Sequence, residues 1–208
     1  MLATVLLLAV LRALVVQVYG ISSQSMEPSL RPGDRVLVSR WGDPAVDVRR
    51  GDVVVFDGTG LFTSPQPPDA PLRAATGRVS GWLGLGGRER EFVKRVVGLP
   101  GDRVACCDAA GAVTVDGSAL PEPYLHPGDV PSEATFDVLV PPGKVWLMGD
   151  HRSRSSDSRD RLGTPGGGMV PWDRVRGPVV ALAWPPDRIG TFVRPGRSGT
   201  LEDGTGTG

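Results

Sequence analysis

The chain has 208 residues with 23 basic and 23 acidic side chains, so net charge offers no basis for binding nucleic acid or another broad polyanion. Hydrophobic residues make up 40% and charged residues 22%, which excludes a disordered chain and suits one good-sized core. Gly at 29 and Pro at 20 are high and point to a turn-rich, largely β chain with long loops.

Leu2 to Ile21 is almost wholly apolar and, as a helix, would span roughly 30 Å, about one hydrocarbon core. Arg12 and Gln17 interrupt it. A central Arg costs about 2.5–3.5 kcal/mol on insertion, which Leu, Val and Ala neighbours can offset. Residues 1–21 are therefore expected to form a transmembrane anchor, with a cleaved secretory signal as the rival reading. Against cleavage, Ser25 follows too closely to leave a sensible N-terminus. No basic residue precedes the segment, while Arg31, Arg35 and Arg40 follow it. Charge alone would hold the domain in the cytoplasm, but long folded domains often escape that rule, so orientation is not settled by charge.

Beyond Ile21, short β-rich runs recur at Asp34–Val38, Asp52–Phe56, Phe92–Val97, Arg103–Cys107, Val113–Asp116, Phe136–Val140, Lys144–Met148 and Val179–Trp184. Turn residues punctuate them, as in Arg31-Pro32-Gly33-Asp34, Pro100-Gly101-Asp102, Asp116-Gly117 and Pro141-Pro142-Gly143. The predicted fold is mainly β, with antiparallel sheets of short strands filling residues 22–194. Within it, residues 63–90 carry four prolines and the apolar Gly81-Trp82-Leu83-Gly84-Leu85, and read as a long loop or insertion. Its Trp82–Leu85 tip suits a membrane interface. Residues 195–208 are Gly/Thr-rich and expected to be disordered.

Ser25, in Ser23-Gln24-Ser25-Met26-Glu27-Pro28-Ser29, is a candidate nucleophile close behind the apolar segment. A serine is inert until something takes its proton. Three side chains could do so. His126 lies in a turn, and His151 follows Gly149-Asp150; either would make a Ser-His-Asp triad. The third is Lys94, on a strand where Phe92, Lys94 and Val96 share one face. Only Lys94 and Lys144 are lysines among the 23 basic residues, and lysine, unlike arginine, can lose its proton when desolvated. At a reference pKa of about 10.4, roughly one lysine in 2,500 is neutral at pH 7, so a lysine base must be buried. Its bland alternative is a snorkelling strand lysine beside Arg95. Cys106 and Cys107 are adjacent, and neighbours rarely pair because the ring strains the peptide between them. They read as two small strand residues. The histidines make no ligand spacing with them, so no metal is expected.

The run Ser23–Ser29 resembles the serine box of bacterial type I signal peptidases, and Arg50-Gly51-Asp52-Val53-Val54-Val55-Phe56 looks like their next box. Lys94-Arg95-Val96-Val97-Gly98-Leu99-Pro100-Gly101-Asp102 is similar to the lysine box. Met148-Gly149-Asp150-His151-Arg152, running on to Ser155, Asp157, Ser158 and Arg159, resembles the last. The boxes stand in family order behind one apolar segment, and the resemblance covers about residues 1–190.

The resemblance implies a membrane-bound serine endopeptidase that removes signal peptides from exported preproteins on the extracytoplasmic side, cutting after small residues at −1 and −3. Ser25 would be the nucleophile and Lys94 its general base. The Ser23 hydroxyl and the Ser25 N–H would form the oxyanion hole. Ser155 would hold the lysine amine, and Asp157 and Arg159 would be a supporting ion pair. The substrate would lie as an added strand, with Met26 and Ile21 lining its pockets. The implied partners are signal peptides and membrane lipid, with no cofactor, no metal and no nucleic acid. Arg154 stands where Asn is expected, Gln24 where Gly is common and Ser29 where Thr is common. Two alternatives stay open: a self-cleaving repressor-type Ser–Lys protease, and a non-catalytic membrane-anchored β-domain.

Overall fold

The structure, a computed structural model, describes residues 16–63 and 90–192. Its strands are β1 (Val16–Gly20), β2 (Arg35–Ser39), β3 (Val53–Asp57), β4 (Glu91–Gly98), β5 (Arg103–Cys106) and β6 (Thr114–Val115). They continue with β7 (Ser118–Ala119), β8 (Phe136–Leu139), β9 (Lys144–Met148), β10 (Val170–Pro171), β11 (Val175–Trp184) and β12 (Gly190–Thr191). Short helical turns fill the connections, among them α1 (Pro44–Asp47), capped by the Asp43 side chain on the Ala45 N–H.

All named pairings are antiparallel. One sheet runs β1-β2-β11-β3-β4-β9-β10, with β12 added on β11; a smaller one runs β7-β6-β5-β8. Centrality follows composition. β3 reads Val-Val-Val-Phe-Asp, and its four apolar residues are buried on both faces between β11 and β4. The Asp116-Gly117 pair closes the two-residue β6–β7 hairpin, with φ of 51° and 78°, the left-handed pair that this turn demands.

Eight of these strands overlap the runs expected from sequence, and β9 matches its run at both ends. The N-terminal expectation fails in part. Val16–Gly20 is not the last turn of a helix but a strand, in register with β2 from Val16↔Ser39 to Gly20↔Arg35. Val-Gln-Val-Tyr-Gly favours that outcome: β-branched and aromatic residues suit a pleated surface, and pairing with β2 satisfies the backbone polar groups. Among the described residues no helix is long and apolar enough to cross a membrane. The rest of the expected anchor, most of the 63–90 insertion with its Trp82–Leu85 tip, and the 195–208 tail lie outside the described residues. The cysteine expectation is also corrected: Cys106 and Cys107 are joined as a disulfide.

Three apolar clusters hold the sheets together. Tyr19, Ile21, Met26 and Leu30 pack with Val36, Val53 and Val55 beneath the segment that carries Ser25. Trp146 and Met148 of β9 pack with β5, β6 and Val140. Val54, Phe56 and Val96 pack with Val145 and Leu147. The alternation expected for β4 is kept, since Phe92 and Val96 share one cluster while Val93 and Val97 belong to the other two.

Candidate active site

Ser25 lies five residues past β1, in a tight loop whose closure is written in its backbone. Ile21 N–H donates to Asp34 and Gly33 N–H returns to Ile21, while Leu30 N–H donates to the Met26 carbonyl. Met26 and Leu30, both fully buried, nail this loop into the cluster beneath it. Ser25 is left 5% exposed, facing β4.

There it meets Lys94, itself 3% exposed, with Nζ 2.6 Å from Ser25 Oγ. Ser23 Oγ stands 3.2 Å from the same hydroxyl. Burial pulls the Lys94 ammonium down to a pKa of about 8, because an apolar surround disfavours the charged form. The carboxylates of Asp157 and Asp150 pull the other way without matching that effect, and Arg159 adds to the lowering.

The segment after β9 supplies the rest. Burial would raise the Asp157 carboxyl, but Arg159 beside it, the Gly149 N–H and the Ser155 hydroxyl together hold it below the usual carboxylate range. Arg159 grips it through Nε at 2.9 Å and Nη2 at 2.8 Å. Gly149 cannot carry a side chain: a Cβ there would sit 2.2 Å from Ser155 Oγ and 2.5 Å from the Ser25 carbonyl oxygen. The loops bearing Ser25 and Ser155 therefore close on a bare backbone.

A family model described as signal peptidase, peptidase S26, matches residues 1–184. The chain belongs to this family. Signal peptidase I of Mycobacterium tuberculosis (strain H37Rv) is 34% identical over 213 residues, covering 89% of this chain and 71% of that protein. A probable signal peptidase I of Mycobacterium leprae (strain TN) is 32% identical, covering 87% and 73%. Signal peptidase I of Bacillus licheniformis is 32% identical, covering 76% and 74%.

Each signal-peptidase box thus has a place in space. The serine and lysine boxes meet at Ser25 and Lys94, across 69 residues. Asp157 and Arg159 form the expected ion pair. Ser155 is close by but donates to Asp157 Oδ2 at 2.7 Å rather than to the Lys94 amine. Met26 and Ile21 are core residues of the cluster under Ser25. The histidines take a different position from the one a triad requires. His151 touches Ser25 through its own backbone N–H, 3.1 Å from the Ser25 carbonyl, while its ring stacks on His126. Two departures from the family pattern meet, Arg154 Nη1 donating to Gln24 Oε1 at 2.5 Å.

Sequence reasoning missed two buried networks. Arg95, next to Lys94, forks onto Asp150 at 2.7 and 2.6 Å, reaches the Gly51 carbonyl at 2.7 Å, and lies 4.0 Å over the Tyr124 ring. Ser29 joins by donating to Asp150 at 2.5 Å, so the serine loop, β4 and the end of β9 share one ion pair. Arg152 pairs with Glu122 and donates to the carbonyls of Gly149 and Pro131. Both Arg95 and Asp150 stand inside the quoted boxes, which was the available signal; spacing could not say that they pair.

Proposed function

We propose that this chain is a membrane-bound serine endopeptidase that cleaves signal peptides from exported preproteins after small residues, by a Ser25–Lys94 dyad. The observation that carries the reading is the 2.6 Å approach of a buried lysine with lowered pKa to a buried serine hydroxyl. A neutral Lys94 Nζ accepts the Ser25 proton as Oγ attacks the scissile carbonyl. The Ser23 hydroxyl and the Ser25 N–H donate to the oxyanion. Lys94 then returns its proton to the leaving amine, and later draws one from the water that hydrolyses the acyl-enzyme. Asp157, held by Arg159, fixes Ser155 and Gly149 around the pair.

The substrate enters extended. Among the described residues β1 ends the large sheet and leads directly to Ser25, which suits a peptide strand laid alongside the serine loop. Family membership supports a membrane location, with the catalytic residues on the extracytoplasmic side, where signal peptides emerge. Because Val16–Gly20 is strand, the anchor expected over residues 1–21 does not run through these residues.

The test is preprotein cleavage by the purified protein beside Ser25→Ala and Lys94→Met. Both variants are expected to fall to background while keeping their circular dichroism. Full cleavage by either one overturns the dyad.

A further inference from the structure

We propose that Glu27, His126 and His151 form a site for a late first-row divalent cation, zinc foremost, beside the Ser25 loop and independent of the dyad. The three residues come from three separate segments: the serine loop, the turn after Tyr124 and the start of the segment after β9. Backbone hydrogen bonds deliver the two imidazoles. His126 N–H donates to the Asp150 carbonyl at 3.0 Å, and His151 N–H to the Ser25 carbonyl at 3.1 Å. The rings stack with centroids 3.7 Å apart and planes 2° from parallel. One ligating atom from each of the three residues lies within 4.8 Å of the other two.

What points to a ligand is the state of the ring nitrogens. Nδ1 of His126 and Nδ1 of His151 are both buried without a hydrogen-bond partner. The His151 side chain is 9% exposed, and its Nδ1 faces Glu27 Oε2 at 3.6 Å, beyond hydrogen-bond range. Buried polar groups in folded proteins nearly always find partners, so two orphaned acceptors or donors side by side call for an explanation. A cation satisfies both nitrogens and the carboxylate at once.

The chemistry suits zinc. Two imidazoles and a glutamate make the protein ligand set of open zinc sites, which keep a further position for water. With bonds of about 2.0–2.2 Å, two ligands on a tetrahedral ion lie roughly 3.3–3.5 Å apart. The His151–Glu27 separation is already close to that. Parallel rings aim their lone pairs along parallel lines, so each ring must tilt about its Cβ–Cγ bond to converge on one ion. Half-buried His126 and Glu27 have the room. Asp129, in electrostatic contact with both imidazoles and held by Ser153, adds negative charge. A bound ion would add a further tie between the serine loop and the segment after β9, which already meet through Ser29 and Asp150, through Gln24 and Arg154, and at the backbone of Gly149 and His151.

The test uses the full chain in detergent, stripped with chelator and titrated with zinc chloride by calorimetry. One equivalent is expected to bind and to raise Tm, since an ion that binds only the folded state stabilises it by mass action. Cobalt in its place is expected to give the absorption of a tetrahedral nitrogen–oxygen site without thiolate charge transfer. His126→Ala should weaken zinc binding by more than the roughly 10- to 100-fold that loss of an outer-shell partner costs. His126→Gln, which keeps the side chain's bulk, guards against a folding artefact and should weaken it similarly, with Tm in chelator unchanged. Replacing Cys106 and Cys107 with Ala should leave binding intact. No stoichiometric zinc binding, binding unchanged in both His126 variants, or binding lost with the cysteines overturns the site.

Discussion

Lys94 and Arg95 are neighbours on β4, both buried, and the fold treats their charges in opposite ways. Arg95 is given a full counter-charge: Asp150 takes two of its N–H groups, Gly51 a third, and Tyr124 covers the plane. Among the described residues Lys94 receives one hydroxyl and no carboxylate within ion-pair distance. Arginine cannot give up its proton, so burying it demands compensation; lysine can, so leaving it uncompensated lowers its pKa instead. One cation holds three segments together, and the other is left able to lose its proton, as the proposed dyad requires.

The largest effect should come from erasing that difference. Lys94→Arg puts a permanent charge where the base must be neutral, and cleavage is expected to drop about 10²- to 10⁴-fold, the range for a lost general base. In the unaltered protein kcat/KM should rise as pH rises through about 8, where Lys94 loses its proton. A flat profile across that pH would break the assignment.

Asp150→Asn attacks the other side of the comparison. It leaves the Arg95 guanidinium buried without its charge partner, and about 3–5 kcal/mol of stability should be lost, read by urea denaturation. If stability is unchanged, the pair is not what holds the loops.

Lys94→Met sharpens the contrast by going the opposite way. Folding moves the Lys94 pKa from 10.5 to about 8, so below pH 8 the native state carries a buried ammonium at a cost of about 3 kcal/mol. Between those two pKa values the unfolded chain binds a proton that the native chain lacks, so native stability rises with pH. The variant should therefore be inactive yet more stable at pH 7, and its advantage should fade as pH climbs from 8 to 10.5. A variant less stable than the parent at pH 7 refutes the desolvation account.

The smallest effect is expected from Arg103→Ala on the minor sheet. Its pair with Asp137 has geometry as short as that of Arg95 with Asp150, 2.6 Å in each case, but both partners are largely in water. Solvent screens such a pair, and the urea midpoint should not move measurably.

Much of this was legible in the chain. The strand runs were read from alternation and turn residues, and Ser25 and Lys94 from the family boxes that contain them. β1 was not, because a mostly apolar stretch suits a membrane helix and a buried strand alike. The period-two Val-Gln-Val-Tyr inside it was the overlooked signal. Ser155 was assigned to the lysine amine by resemblance, whereas its hydroxyl turns to Asp157. The histidines make no ligand spacing with a cysteine in the sequence; their stacking depends on the turn after Tyr124 meeting the end of β9, where the His126 N–H donates to the Asp150 carbonyl.

The sequence by itself determined the strand segments, the turns and the residue types able to do the chemistry, because these depend on side-chain size, branching and proton affinity within a few residues. Only the tertiary structure decided which charges are paired. Arg95 and Asp150 are 55 positions apart, Ser25 and Lys94 are 69, and whether each meets its partner depends on sheet order and loop closure. Burial then sets the dielectric surround, and that makes one β4 cation a structural tie and suits its neighbour to the proposed role of base.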